Sequence, residues 1–377
     1  MKVLHINSYF SGSPFYKQLY DKQVESGLDI SVFVSVPIGS SDNKENQSMG
    51  EYTIINENFN KYDRLNFYVK NNKIYKDIKG FYNFSEFNLL HAHSLFTNGY
   101  IAYKLKIQYG IPYVVAVRNS DINIFFKKMV HLRKVGIKIL NNADKVVFIS
   151  EPYKKITLSK YIPESIRDKI ERKSIVIQNG IDNFWLKNIN YTTKRISNNK
   201  LNILYVGNID KNKNLVTTMK VVSEMSNIYN NITYTVVGKV KNKKIYNHLC
   251  QNKRFNYLGI MDKEELIKVY KDADIFVMPS INETFGLVYA EAMSQGVPVL
   301  YTKNQGFDGQ FDEGVVGYSI ECTNVKDIQE KIEMIIKNYS TISTNCIELV
   351  KNYSWSRIEE IYRGIYEEVF QKVSNDS

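Results

Sequence analysis

A chain of 377 residues, 44% of them hydrophobic and 13% aromatic, is long for one core and too apolar for disorder, so two domains are expected. The formal charge is +11, yet 41 of the 50 basic residues are Lys; base readout leans on Arg, and no nucleic-acid-binding signature appears, so nucleic acid is excluded as a partner. Cys250, Cys322 and Cys346 are scattered at no disulfide or zinc spacing, which points to a reducing compartment, the cytoplasm.

The chain opens on MKVLHINSYF, whose apolar core is too short for a secretory signal and reads as a first strand. No run reaches the 18 or more apolar residues of a membrane span, so any membrane contact is peripheral. SYFSGSPFY, residues 8–16, follows that strand as a phosphate loop would, with Gly12 its single glycine. HAHSLFTNGYIAYKL, residues 91–105, sets His91 and His93 on one face of a strand. A metal would need a third ligand, and no carboxylate or Cys stands at a suitable spacing. PYVVAVRNSD, residues 112–121, ends a buried strand in Arg118, Asn119 and Asp121, where charge is costly unless solvated or paired. INIFFKKMVHLRKVGIKIL, residues 122–140, reads as a basic amphipathic helix. It suits either core packing with a solvated Lys face or an anionic membrane surface.

VLHIN, ISVFVSV, LLHAH, YVVAV, KVVFIS and SIVIQNG in the first half, and NILYVG, YTVVG, FNYLG, DIFVMPS and VPVLY in the second, are β-branched runs alternating with longer amphipathic stretches. The pattern predicts a doubly wound α/β domain twice over, with parallel sheets covered on both faces. Polar, Asn-rich sequence within 182–200 marks the linker. Ligands of such folds bind outside the C-terminal strand ends, here in a cleft between the domains. NILYVGNIDKNKN, residues 202–214, places Gly207 at a strand end with Asn208 after it, then Lys211 and Lys213 in the loop before a helix. DADIF, residues 272–276, abuts an apolar strand and reads as a helix-to-strand boundary rather than a metal motif.

PSINETFGLVYAEAMSQ, residues 279–295, reads as a loop and a helix between two buried strands. A helix N-terminus presents unpaired N–H groups, and Gly286 has no Cβ to obstruct a ligand, so an anion is expected near residues 284–287. Glu283 and Glu291 stand roughly 12 Å apart if the whole segment is helical, enough to hold two ends of one elongated ligand. Two solvated glutamates on an amphipathic helix would leave the same pattern.

Glu, seven residues, Glu, with Phe-Gly inside and Glu-Ala-Met at the end, resembles the donor motif of the retaining GT-B glycosyltransferases of family 4, the glycosyl transferases group 1. The resemblance implies a GT-B fold: two Rossmann-like α/β domains facing across a cleft, with a C-terminal helix crossing back to the first. Residues 1–185, completed by a helix about 353–377, would bind acceptor, and 200–352 the nucleotide-sugar donor. It implies that Glu283 faces the donor sugar, that the backbone of Thr284, Phe285, Gly286 and Leu287 with Lys213 holds the diphosphate, and that Glu291 holds the ribose. Gly12, Gly207, Asn208, Gly238 and Ile260 join the donor-binding set; His93, Asn119 and Asp121 fall on the acceptor side. Asn208 stands where the family carries Arg, and Arg118 where it carries His, so the two departures are read as one cation moved across the cleft, with Arg118 beside Glu283 and Lys213 in the catalytic group. The reaction implied is transfer from a nucleotide-diphosphate sugar, UDP-linked, to a hydroxyl of a glycan or lipid-linked acceptor. It proceeds with retention, without metal or other cofactor, at the inner face of a membrane met through 122–140. Two alternatives stand beside it: a GT-B binding or regulatory protein that has lost its chemistry, and a glycoside hydrolase using Glu283 and Glu291.

Overall fold

A computed structural model describes residues 1–12, 14–40, 49–192, 196 and 200–376. The chain divides into two compact units, one of residues 1–149, 153–178 and 355–377, the other of 150–152 and 179–354. The division after Gln178 falls before the stretch read as a linker. Part of that stretch, Asn183–Lys187, is a helix of the second unit with Trp185 buried, and residues 193–195 and 197–199 lie outside the described residues.

The first unit holds seven parallel strands: β1 (Lys2–Ile6), β2 (Asp29–Pro37), β3 (Thr53–Phe59), β4 (Leu89–Ala92), β5 (Tyr113–Val117), β6 (Lys145–Phe148) and β7 (Ser174–Val176). Their order is β3-β2-β1-β4-β5-β6-β7, so the winding reverses between β1 and β4. The apolar runs form these strands because helices cover both faces, and β4 and β5 are buried at every position. The last helix, Trp355–Asp376, belongs to this unit: Ile358, Tyr362, Tyr366 and Val369 share one core with Val3, Tyr20, Val32 and Val114.

The second unit holds six: β8 (Lys200–Val206), β9 (Asn231–Val237), β10 (Phe255–Gly259), β11 (Ile275–Met278), β12 (Val299–Thr302) and β13 (Gly317–Ile320), in the order β10-β9-β8-β11-β12-β13. Here the winding reverses between β8 and β11, which pair in parallel. Loops leaving the C-terminal ends of those two strands are therefore brought side by side, which is where an open α/β sheet places its ligand. These loops are 207–214 and 279–286, the two segments singled out in the second half of the sequence.

The 122–140 segment is not one helix. Asp121–Phe126 is a π-helical turn, Val130–Leu132 a 3-10 turn, and the α-helix runs only over Arg133–Asn142. The break at Met129 lets Ile122, Phe126, Leu132 and Ile139 all reach the core, and Phe125 stacks on Phe96 with centroids 4.5 Å apart. No helix of the described residues is long and apolar enough to cross a membrane.

Candidate active site

In the second unit the loops after β8 and β11 are laced together by amides. Asn212 donates to the Asn282 carbonyl at 2.8 Å and accepts from the Asn282 N–H at 3.0 Å, while the Ile281 N–H donates to the Asn212 carbonyl at 2.8 Å. That lacing carries Lys213 to Glu283: Nζ lies 2.6 Å from Oε2, and both side chains are largely withdrawn from solvent. Lys211, the other candidate, is exposed. The second carboxylate oxygen of Glu283 accepts the Thr284 N–H at 3.0 Å, and the residue's own N–H donates to Gln305 Oε1 at 2.9 Å. Glu283 is thus held by three groups in a fixed pose. Gln305 and Asn212 carried no signal in sequence, because an amide in a loop is read as a turn residue.

Beyond Thr284 the chain enters the helix Leu287–Ser294 through Gly286 in the left-handed region, φ 73°. A Cβ here would meet the Tyr289 ring at 2.4 Å, so the glycine is required by the backbone turn and by Tyr289, not only by a ligand's approach. Among the described hydrogen bonds the N–H groups of Phe285, Gly286 and Leu287 have no acceptor. Successive N–H groups of this kind at a helix start, next to the Lys–Glu pair, have the donor geometry that suits an anion. The Phe285 side chain contributes nothing to it: the ring is buried, 5.9 Å from that of Tyr353.

Glu291 sits on the same helix with its carboxylate accepting from Tyr270 Oη at 3.2 Å. Burial pushes its pKa up to about 7; Tyr270 and Lys263 oppose the rise and Asp182 adds to it. A carboxylate so placed is part ionised near neutrality.

Gly207 and Gly238 directly follow β8 and β9, and their neighbour Gly259 ends β10. A Cβ on Gly238 would lie 2.0 Å from the Gly207 carbonyl oxygen, and the Gly238 N–H donates to the Gly259 carbonyl. Close strand approach alone thus explains Gly238. Asn208 accepts the Tyr205 hydroxyl on its carbonyl at 2.8 Å, and Ile260 is exposed beyond the same edge. Asp272 ends the helix Lys263–Asp272, and Asp274 accepts the Asn202 N–H at 2.7 Å at the start of the sheet, as a boundary residue does.

The first unit changes several sequence expectations. Asp121, assigned to the acceptor side, is 1% exposed and takes the N–H groups of Leu95, Phe96 and Arg118 at 3.0, 3.1 and 2.8 Å. It holds the start of the helix Thr97–Tyr109 and is not presented to a ligand. Burial raises its pKa to about 6 against the pull of those three donors. His93 is buried too, its Nε2 lying 3.0 Å from His5 Nδ1 and 3.2 Å from Tyr20 Oη. The third histidine that sequence spacing did not show is His5, brought from β1 by its register with His91. Ring nitrogens of His5, His91 and His93 lie within 4.8 Å of one another. Yet the rings of His91 and His93 stack at 4.0 Å and 27°, which sets their in-plane lone pairs side by side rather than toward one point, and His91 Nδ1 is 2.6 Å from Tyr366 Oη. The trio reads as a neutral imidazole-phenol core tying β1 and β4 to the last helix. Burial holds the His5 pKa down to about 3 and those of His91 and His93 well below the usual value.

Arg118 follows β5, half-buried, its Nε donating to the His93 carbonyl at 3.2 Å and its guanidinium 5.8 Å from the centre of the Tyr16 ring. Asn119 accepts from Asn123 at 2.6 Å. Gly12 closes a 3-10 turn, Phe10–Gly12, with open space where a Cβ would stand.

Two family models cover most of the chain: Glycosyltransferase Family 4 over residues 15–183 and Glycosyl transferases group 1 over residues 190–352. A glycosyltransferase of Methanocaldococcus jannaschii is 26% identical over 288 residues, 75% of this chain and 76% of that one. The capsular polysaccharide biosynthesis glycosyltransferase CapM of Staphylococcus aureus is 30% identical over 55% of this chain and 61% of its own. Anabaena HepE, solved in complex with UDP-glucose, superposes with a TM-score of 0.65 at 15% identity over 100% of both chains. Two parallel Rossmann-like sheets, the helix returned to the first unit and both family matches agree: the chain belongs to the group 1, family 4 glycosyltransferases of GT-B fold.

Proposed function

We propose that this glycosyltransferase moves a sugar from a UDP-sugar to a hydroxyl of a glycan or lipid-linked glycan, with retention of configuration and without a divalent metal, in surface polysaccharide or glycoconjugate synthesis. The observation that carries the donor assignment is the Lys213–Glu283 pair beside three acceptor-less N–H groups. A diphosphate leaving group develops negative charge, and a Lys with a helix N-terminus supplies positive charge there without a cation. Glu283 orients donor sugar hydroxyls and Glu291 accepts from the ribose hydroxyls. Arg118 is proposed to engage an anionic group of a substrate as a bidentate fork. That CapM acts in capsular polysaccharide biosynthesis and HepE was solved with UDP-glucose supports a UDP-sugar and a glycan acceptor. The test is UDP release from a panel of UDP-sugars in excess EDTA, with the product anomer read by NMR. A requirement for added manganese, or an inverted product, defeats this reading. Sugar release from simple glycosides without nucleotide would instead revive the hydrolase.

We place the protein at the inner face of the cell membrane on a specific surface. Ile124 and Val130 are exposed beside Lys127 and Lys128, and Tyr62 and Leu65 are 84% and 88% exposed beside Lys61 and Arg64. The two segments are joined through Phe67, whose ring is 6.2 Å from that of Phe125. Apolar tips among cations suit an anionic bilayer surface. Co-sedimentation with phosphatidylglycerol vesicles should be lost in Leu65→Ser/Val130→Ser; retention identical to the parent's rules this surface out.

A further inference from the structure

The first unit carries a second concentration of positive charge that the donor reading does not use. A pocket of about 570 Å³ opens at the N-terminal ends of β5, β6 and β7, the edge of the sheet opposite to that used by α/β folds for catalysis. Six cations line it, Lys106, Lys145, Lys169, Arg172, Lys173 and Lys372, against two carboxylates, Asp144 and Glu368.

Part of this charge has a structural use. Lys106 pairs with Asp144 at 2.7 Å and donates to the Asn142 carbonyl, and Lys173 donates to the carbonyls of Asn141 and Ala143, so both cap the end of the helix Arg133–Asn142. Lys145 pairs with Glu368 at 2.7 Å. With both carboxylates spent, Lys169, Arg172 and Lys372 remain around Lys173. Capping one helix end needs one cation, and the macrodipole term is small and falls off within a turn. These caps leave three further cations, all exposed, lining the same cavity. Burial is the main cause that lowers the Lys173 pKa to about 8, with Lys169, Lys106 and Lys372 adding to it and Asp144 opposing it.

We infer that this pocket binds a phosphate-bearing anion of two or more charges, which supplies the missing counter-charge to Lys169, Arg172, Lys173 and Lys372. The cavity is within the size range of small-molecule sites, and Arg172 offers the planar fork that matches a phosphate. The same chemistry is presented by a soluble phosphorylated metabolite and by an anionic lipid headgroup. The inference does not depend on the donor assignment, since the pocket and the Lys213 loop lie in different units.

The experiment is calorimetric titration of the full chain with inorganic pyrophosphate in a Lys213→Ala background, which removes the proposed donor-diphosphate contact. One saturable event should remain, and Lys169→Glu/Arg172→Glu should weaken it at least tenfold. Both positions are exposed, so the variant is expected to fold, and an unchanged melting temperature without ligand checks this. Absence of the event, or an event indifferent to the charge reversal, overturns the site. Sedimentation with phosphatidylglycerol vesicles separates the sources. Retention that the double variant loses along with pyrophosphate binding assigns a headgroup, and retention that it keeps assigns a soluble anion.

Discussion

Replacing Glu283 by Gln should tighten nucleoside diphosphate binding while it suppresses turnover. In the structure the Glu283 carboxylate takes Lys213 at 2.6 Å and the Thr284 N–H at 3.0 Å, the cation and the first loop donor proposed for the diphosphate. The free enzyme thus keeps its own anion on part of the site, and UDP must loosen that contact to gain Lys213. Exposed ion pairs are worth up to about 1 kcal/mol, and hydrogen bonds to charged groups about 1.5 to 3. With 21% and 13% of the two side chains exposed, a release of about 1 to 2 kcal/mol is reasonable, which is roughly five- to thirtyfold in dissociation constant. Gln preserves shape and can still accept the Thr284 N–H. The assay pairs UDP calorimetry with UDP-sugar turnover on the same preparation, and turnover should fall about a hundredfold or more if the carboxylate orients the donor sugar. Weaker UDP binding by the folded variant would refute the reasoning, because it would show that Glu283 positions Lys213 rather than competing for it.

Glu291→Ala should weaken UDP by about 1.5 to 3 kcal/mol, the range for a charge-assisted hydrogen bond, and unchanged affinity of the folded variant would remove Glu291 from the ribose site. Because burial raises its pKa to about 7, UDP affinity should climb from pH 6 to 8 as the acceptor carboxylate forms, and Glu291→Gln should flatten that profile in calorimetry. His5, held neutral at a folded pKa of about 3, contributes stability that is full above its unfolded value near 6.5 and is lost as pH falls toward 3. Asp121 and Glu291, raised to about 6 and 7, act oppositely, losing stability as pH rises from about 4 through those values. The contrast between wild type and His5→Phe in urea unfolding at pH 7.5 and 5 cancels the two acids, and the variant should lose less on acidification. Gly238→Ala should destabilise by about 2 kcal/mol or more, since a Cβ 2.0 Å from the Gly207 carbonyl and φ 137° are both strained; a denaturation midpoint equal to the parent's contradicts this packing.

The sheets and their order of appearance were legible because parallel strands buried on both faces, such as LLHA and IFVM, leave near-continuous apolar runs in sequence. The meeting of Lys213 with Glu283 was legible only through a family resemblance. Its physical cause, the adjacency of β8 and β11, is a property of strand order that no local pattern carries. The same limit hid His5, which joins His91 and His93 by register between β1 and β4. Asp121 misled for a different reason: a carboxylate after a buried strand signals either a ligand or a helix start in need of an acceptor, and the orphan N–H groups of Leu95 and Phe96 lie 25 residues or more away. The 122–140 segment shows helical periodicity throughout, yet the helix is interrupted at Met129 by the 3-10 turn Val130–Leu132, which no local pattern marks.

Sugar transfer from a UDP-sugar, proposed for the Lys213–Glu283 loops, is tested by UDP release from the purified full chain in excess EDTA, with and without a glycan acceptor. On this proposal, release should be acceptor-dependent with one UDP-sugar and lost in Lys213→Ala while the fold is kept, and the product's anomeric configuration by NMR should match that of the donor. Release that persists in Lys213→Ala, or that requires manganese, would contradict it.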